Sequence, residues 1–215
     1  AFRRHAVQPL IAALDGGTGK PQPELEFPDQ PSWQRYQQSG GKLERADWRR
    51  QNVNKLIEAL YKGIHAEKSW VRFGISPFGI GKPERRPPGI VGFSQYDKLY
   101  ADAELWLENG WVDYFTPQLY WPIKQAPQAY DVLLDYWIEQ NRHQRHMWPG
   151  LFTSRIGAAT RAFAPEEIVQ QIGVTRSRPK ASGAVIRSLP LGSVRRAVRA
   201  ASAASTSAST RRQRS

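Results

Sequence analysis

The residues best suited to chemistry in this chain fall in three short stretches, each just after an apolar run. They read Ser76-Pro77-Phe78-Gly79-Ile80, Gln118-Leu119-Tyr120-Trp121-Pro122 and Phe152-Thr153-Ser154-Arg155. Gln118 and Arg155 can hold neighbouring hydroxyls in bidentate fashion, Ser76 adds a hydroxyl, and Tyr120 and Trp121 add flat apolar faces. Such a mixture suits a sugar, whose ring stacks on an aromatic plane while polar groups take its hydroxyls. Gln118, Tyr120 and Trp121 are therefore the first candidates for glycan contacts, with Ser76 and Arg155 second. The rival reading is that Tyr120 and Trp121 only cap the top of the fold.

None of the three stretches carries a carboxylate. Hydrolysis of a glycosidic bond ordinarily uses two, one as acid and one as base or nucleophile, ~5–9.5 Å apart. Asp113 lies near the start of its apolar run, where a buried structural role is expected. Asp97 and Asp102 fall on a helical pattern and read as a solvated face, and Glu84 belongs to the surface cluster Lys82-Pro83-Glu84-Arg85-Arg86. The catalytic residues stay unassigned.

Other motifs fail on spacing. Gly16-Gly17-Thr18-Gly19-Lys20 lacks the Gly five residues before Gly19, where Leu14 stands, and Pro21 replaces the required hydroxyl. His143-x-x-His146 has metal-like spacing but precedes a strand and has no third ligand nearby. No metal and no cofactor is expected. The absence of Cys excludes disulfides and thiolate chemistry. No apolar run reaches the ~18 residues of a membrane span.

The formal charge of +12 suggests nucleic acid until it is located. All 19 acidic residues lie at or before Glu167, and ten basic residues follow it, so the body carries 21 basic groups against 19 acidic ones. A nearly neutral body argues against nucleic acid as a partner. Binding through the basic tail ranks last among the readings.

The elements that would position these residues alternate. A helix is expected from Trp48 to Glu67, capped by Asp47, with Val53, Leu56, Ile57, Leu60 and Ile64 on one stripe. Trp70–Ser76 reads as a strand, Tyr96–Glu108 as a helix stopped by Asn109-Gly110, and Trp111–Gln118 as a strand. A helix over Ala129–Asn141, a strand over Met147–Phe152, a helix opened by Pro165 and a strand at Ala184–Ile186 complete the run. This is α/β, with parallel strands joined by helical crossovers. Spacing does not separate a closed barrel from an open doubly wound sheet, although no Gly-rich fingerprint follows any strand. Residues 1–31 form a Pro/Gly-rich irregular segment, 32–192 the α/β body, and 193–215 a basic Ala/Ser/Arg tail expected to be disordered.

Several blocks, in order, resemble the glycosyl hydrolase-like 10 family. They are Gly40-Gly41-Lys42-Leu43, Asp47-Trp48-Arg49-Arg50-Gln51-Asn52-Val53-Asn54, Phe73–Ile80, Tyr96–Asp102 and Gly110–Trp121. The resemblance covers roughly Glu26 to Arg176. It implies a (β/α)8 TIM-type barrel, glycoside hydrolase activity on a glycan such as a bacterial cell-wall polysaccharide, and an envelope or secreted location. In such barrels the site lies at the C-terminal strand ends, where the candidates above fall.

Two places depart from the family pattern. An Asp-rich strand end is due upstream of the Pro-rich link, where Val7–Leu14 stands. The last strand should end in something like His-Phe-Ser, and the chain reads Ile186-Arg187-Ser188-Leu189. The expectation is a C-terminal half barrel, about strands five to eight, from truncation or frameshifted ends, lacking part of its catalytic residues and inactive alone. A non-catalytic carbohydrate-binding module is the alternative.

Overall fold

The computed structural model describes residues 27–158 and 162–187. The phosphate-loop-like run at 16–20 and the basic tail from 193 lie outside them. The chain divides into two compact units between Arg45 and Ala46. In the first, helix α1 (Gln30–Gln38) opens on Pro31, whose missing N–H costs nothing in a first turn. Gly40 turns the chain at a φ of +82°, and Asp29 pairs with Arg45 at 2.5 Å.

The second unit alternates helices with parallel strands, as the composition pattern requires. Helix α2 (Arg45–Glu67) starts before the expected Trp48. Asp47 is in its first turn, not at its cap, because its carboxylate is drawn to Arg50 at 2.6 Å. Only part of the expected stripe is buried: Val53 and Ile57 pack on the core, whereas Leu56 is 57% exposed and Leu60 42%.

Strands β1 (Gly74–Ile75), β2 (Tyr114–Phe115) and β3 (His146–Met147) form one sheet in sequence order, and β4 (Gly150–Phe152) pairs with β5 (Val185–Arg187) in a second, every pairing parallel. They are shorter than the apolar runs that encode them. Trp70 is 73% exposed, so the first run begins as a turn and enters the ladder only at Phe73. Pro149, with no N–H, interrupts what would be one strand between β3 and β4. The ladder nevertheless continues past the strand ends, because Gln118 bridges both Phe78 and Gly150 and joins the two short sheets into one path.

The helix expected over Tyr96–Glu108 is two helices, α3 (Gln95–Lys98) and α4 (Ala103–Glu108). Each has its own cap: the Asp97 N–H donates to Ser94 Oγ at 3.2 Å and the Leu105 N–H to Asp102 Oδ1 at 3.2 Å. Between them Tyr100 adopts a φ of +55°, with the Arg49 guanidinium 4.8 Å above its ring. Asp102 is thus a buried cap and not part of a solvated face. Helix α5 (Tyr130–Gln140) follows its expected bounds closely, and α6 (Pro165–Arg176) opens at Pro165 as expected.

Alternation along the strands divides two faces. Phe115, Met147 and Leu151 turn to the helices and are fully buried with Leu107, Leu133, Leu134 and Trp137. Phe115 and Trp137 are 5.1 Å apart between ring centres. Each such side chain contributes about 1.5–3 kcal/mol of burial. On the other face Tyr114 stacks on Trp148 at 4.9 Å, and Gly74 leaves room for the Tyr114 ring, which a Cβ there would meet at 2.2 Å.

Candidate functional site

The stretch after β1 has almost no regular structure, and buried side chains hold it in place. Gln95, 2% exposed, accepts from the Phe78 N–H at 3.0 Å and donates to the Phe78 carbonyl at 3.0 Å. The Trp137 indole donates to the Gly79 carbonyl at 2.8 Å, and the Lys82 N–H donates to Glu104 Oε1 at 2.6 Å. Gly79 passes so close to the next strand end that a Cβ would lie 2.4 Å from the Gln118 carbonyl oxygen. Gln128 ties this stretch to the following loop by donating to the Val91 carbonyl at 2.6 Å.

On that floor the candidates sort into groups. Ser76 and Gln118 come together, the Gln118 amide donating to the Ser76 carbonyl at 3.0 Å. Tyr120 stacks on Phe152 across the strands, ring centres 4.9 Å apart and planes 29° from parallel. Gly150 makes this approach possible, since a Cβ there would be 3.2 Å from the Tyr120 ring. Arg155 lies over Phe152 at 5.8 Å, and Arg187, at the end of β5, over Tyr120 at 5.9 Å. Trp121 stands apart: it packs against the core, and Gln171 takes its carbonyl at 3.1 Å. Gln171 also donates to Glu167, which accepts from the Ile123 N–H at 2.8 Å, so α6 fixes the Trp121 loop.

Phe152 and Arg187 are contributions that local spacing did not single out. Their signal was the strand pattern itself: Phe152 pairs with Arg187 in parallel register, so both side chains leave the sheet on the same face.

Two carboxylates of this unit, Asp113 and Glu104, do structural work. Asp113, 5% exposed, accepts from the Phe73 N–H at 2.8 Å and lies 3.1 Å from His65 and 3.5 Å from Arg72, at the opposite end of the strands. Glu104, fully buried, takes the Tyr136 hydroxyl at 2.6 Å. Burial first, and then the Glu104 charge, push the Tyr136 phenol well above its ordinary range. Glu84 is an exposed surface charge. Among the described residues none of these acids reaches the Tyr120–Phe152 pair, and no group of three or more His, Asp or Glu gathers as metal ligands. His146 stacks on Trp148 at 5.3 Å and meets Ser182 at 3.3 Å. The arrangement can hold a flat, hydroxyl-rich ligand; a proton donor and acceptor on opposite sides of a bond are not among these groups.

Comparison with known proteins gives the same direction. The model of the glycosyl hydrolase-like 10 family matches residues 15–166. The glycosyl hydrolase YngK of Bacillus subtilis (strain 168) is 36% identical over 172 residues, 76% of this chain and 33% of its own length. The glycosyl hydrolase DigH of Escherichia coli (strain K12) is 30% identical over 164 residues, 70% of this chain and 37% of its own. The chain thus spans about a third of the length of these relatives.

Proposed function

The chain belongs to the glycosyl hydrolase-like 10 family, and from that premise we propose that its strand ends form the sugar-holding side of a glycan site in a (β/α)8-type barrel. The Tyr120–Phe152 stack beside Gln118 carries this reading: two rings 4.9 Å apart and an amide at the C-terminal ends of parallel strands. Tyr120 is half-buried and ready to take a sugar ring, with Gln118 and Ser76 placed for hydroxyls. Trp121 serves the same site by fixing the loop that carries Tyr120.

Four strand positions in sequential parallel order support a consecutive arc of the barrel, about strands five to eight. Exposed Leu56 and Leu60 on α2, and Val185 and Ile186 on β5, suit faces that neighbouring barrel units would cover. The acid pair, on this reading, comes from a part of the barrel other than the described strand ends, so the chain by itself binds glycan and does not cleave it. Bacterial cell-wall polysaccharide in the envelope is the proposed setting. The lack of a strand-end carboxylate among the described residues equally favours a non-catalytic carbohydrate-binding module.

Calorimetric titration of the full chain with chitohexaose and with denuded peptidoglycan strands tests the binding, and reducing-end assays test the cleavage. Binding without turnover is expected. No binding to either glycan sinks the proposal, and turnover sinks its non-catalytic part.

A further inference from the structure

We propose that the N-terminal end of the strands, opposite the sugar-holding surface, is a docking face for an anionic lipid bilayer, with Trp70 as its anchor. In a parallel arrangement the loops that enter the strands all lie at that end. Here they are residues 68–72, 109–112, 141–145 and 177–184, which hold six basic residues, Lys68, Arg72, Arg142, Arg145, Arg178 and Lys180, and no acid. Asp113, just after the second loop, is buried and takes the Phe73 N–H. The exposed acids Glu67 and Glu139 belong to the helix ends before the loops. Trp70 is 73% exposed and Val71 follows it into solvent. Among the described residues no ring contact or hydrogen bond holds that indole.

The loops that carry these groups are braced from within. Asp113 lies 3.5 Å from Arg72 and 3.1 Å from His65, and the Val71 N–H closes a turn on the Lys68 carbonyl at 3.0 Å. Buried Asn141 spans the third loop, accepting from the Arg145 N–H at 2.9 Å and donating to the Arg145 carbonyl at 2.7 Å. Gln144 turns there at a φ of +51°, and Arg142 and His143 are left outside. Arg145 and Arg178 are used inside the fold, on the Gly110 carbonyl at 2.8 Å and on Asp135 at 2.9 Å. Lys68, Arg142 and Lys180 stay exposed, with no ion-pair partner among the described residues. Nucleic acid would draw on the same cations through its phosphates. The bilayer is favoured by Trp70 and Val71, an insertion point of one indole and one aliphatic side chain where a single strand would need a row of stacking faces. An indole on a turn settles at headgroup depth while Lys and Arg stems snorkel to lipid phosphates. None of these residues belongs to the sugar site, so the inference stands apart from the glycan reading.

Cosedimentation of the full chain with sucrose-loaded vesicles tests it, with phosphatidylcholine alone and with about a quarter of it replaced by phosphatidylglycerol. Binding to the mixed vesicles is expected, weakening as salt is raised. Trp70→Ser should lower the partition coefficient roughly tenfold, and Trp70→Phe should keep most of it. Lys68→Gln with Arg142→Gln should lower it roughly 25-fold, at about fivefold for each charge near the surface. All these side chains are exposed, so melting temperatures should match the wild type. The basic residues from 193 onward are the same in every variant, so a difference between variants reports on this face. Equal partition of wild type and Trp70→Ser, or equal binding to neutral and anionic vesicles, overturns the inference. A thymidine oligonucleotide that binds the wild type and loses as much affinity in Trp70→Ser also overturns it, by giving the face to nucleic acid.

Discussion

At the scale of single residues, the division between Tyr120 and Trp121 carries the most weight. They are adjacent in sequence and equally aromatic, and nothing in their local pattern tells them apart. The fold separates them: Tyr120 lies over Gly150 against Phe152, and Trp121, partly buried, packs against the core. Tyr120→Ala should therefore weaken glycan binding with little change in melting temperature. Trp121→Ala should do the reverse, costing about 2–4 kcal/mol of stability, which thermal unfolding reads directly. Gly79→Ala puts a Cβ 2.4 Å from the Gln118 carbonyl oxygen, so backbone must shift. A loss of about 1–3 kcal/mol is expected in chemical unfolding, and an unchanged midpoint would show that the loop yields easily. The strand-end positions of Gln118, Ser76 and Arg155 were legible because strand ends are legible. Phe152 and Arg187 were not, because their partner Tyr120 is far away in sequence and meets them only through parallel register.

At the scale of elements, apolar runs and capping residues marked where strands and helices lie, and misled most where side chains compete with backbone or where a turn or Pro149 shortens a strand. Asp47 reads as a cap until Arg50 claims it, and the run from Tyr96 to Glu108 reads as one helix until Ser94 and Asp102 cap two. Most of the order in the stretch after β1 comes from Gln95, Trp137 and Glu104, residues on later helices that no local pattern connects to it. Replacing Gln95 with Leu leaves the Phe78 N–H without its acceptor in a buried setting. Faster amide exchange at Phe78 and about 1–3 kcal/mol of lost stability should follow. Helices α5 and α6 are joined by the Tyr130 hydroxyl and Thr175 at 2.7 Å, and burial pushes the Tyr130 phenol up to about 12. The folded state thus favours the neutral phenol. Its contribution is complete below pH ~10, where the unfolded chain also keeps the proton, and is lost as pH rises from ~10 through about 12. Unfolding midpoints that fall above pH ~10 in the wild type and less steeply in Tyr130→Phe would bear this out; parallel curves would contradict it.

At the scale of the whole molecule, the proposed binding surface lies at one end of the strands and structural charge at the other. Rings, amide and guanidinium groups occupy the C-terminal ends, and the Asp113–His65–Arg72 cluster occupies the N-terminal ends. The α/β class was readable because helix and strand periods alternate along the chain. The order of the strands was not, since spacing alone leaves barrel and open sheet equally possible. The central claim is that the Tyr120–Phe152 surface holds a sugar ring, and one titration reaches it most directly. Chitohexaose is titrated by calorimetry into the full chain and into Tyr120→Ala, with melting temperatures measured alongside. The expected result is saturable binding by the wild type, weakened roughly tenfold or more in the variant at nearly unchanged melting temperature, on the scale of one lost stacking contact. Equal affinity in both proteins, or no binding by the wild type, would contradict it.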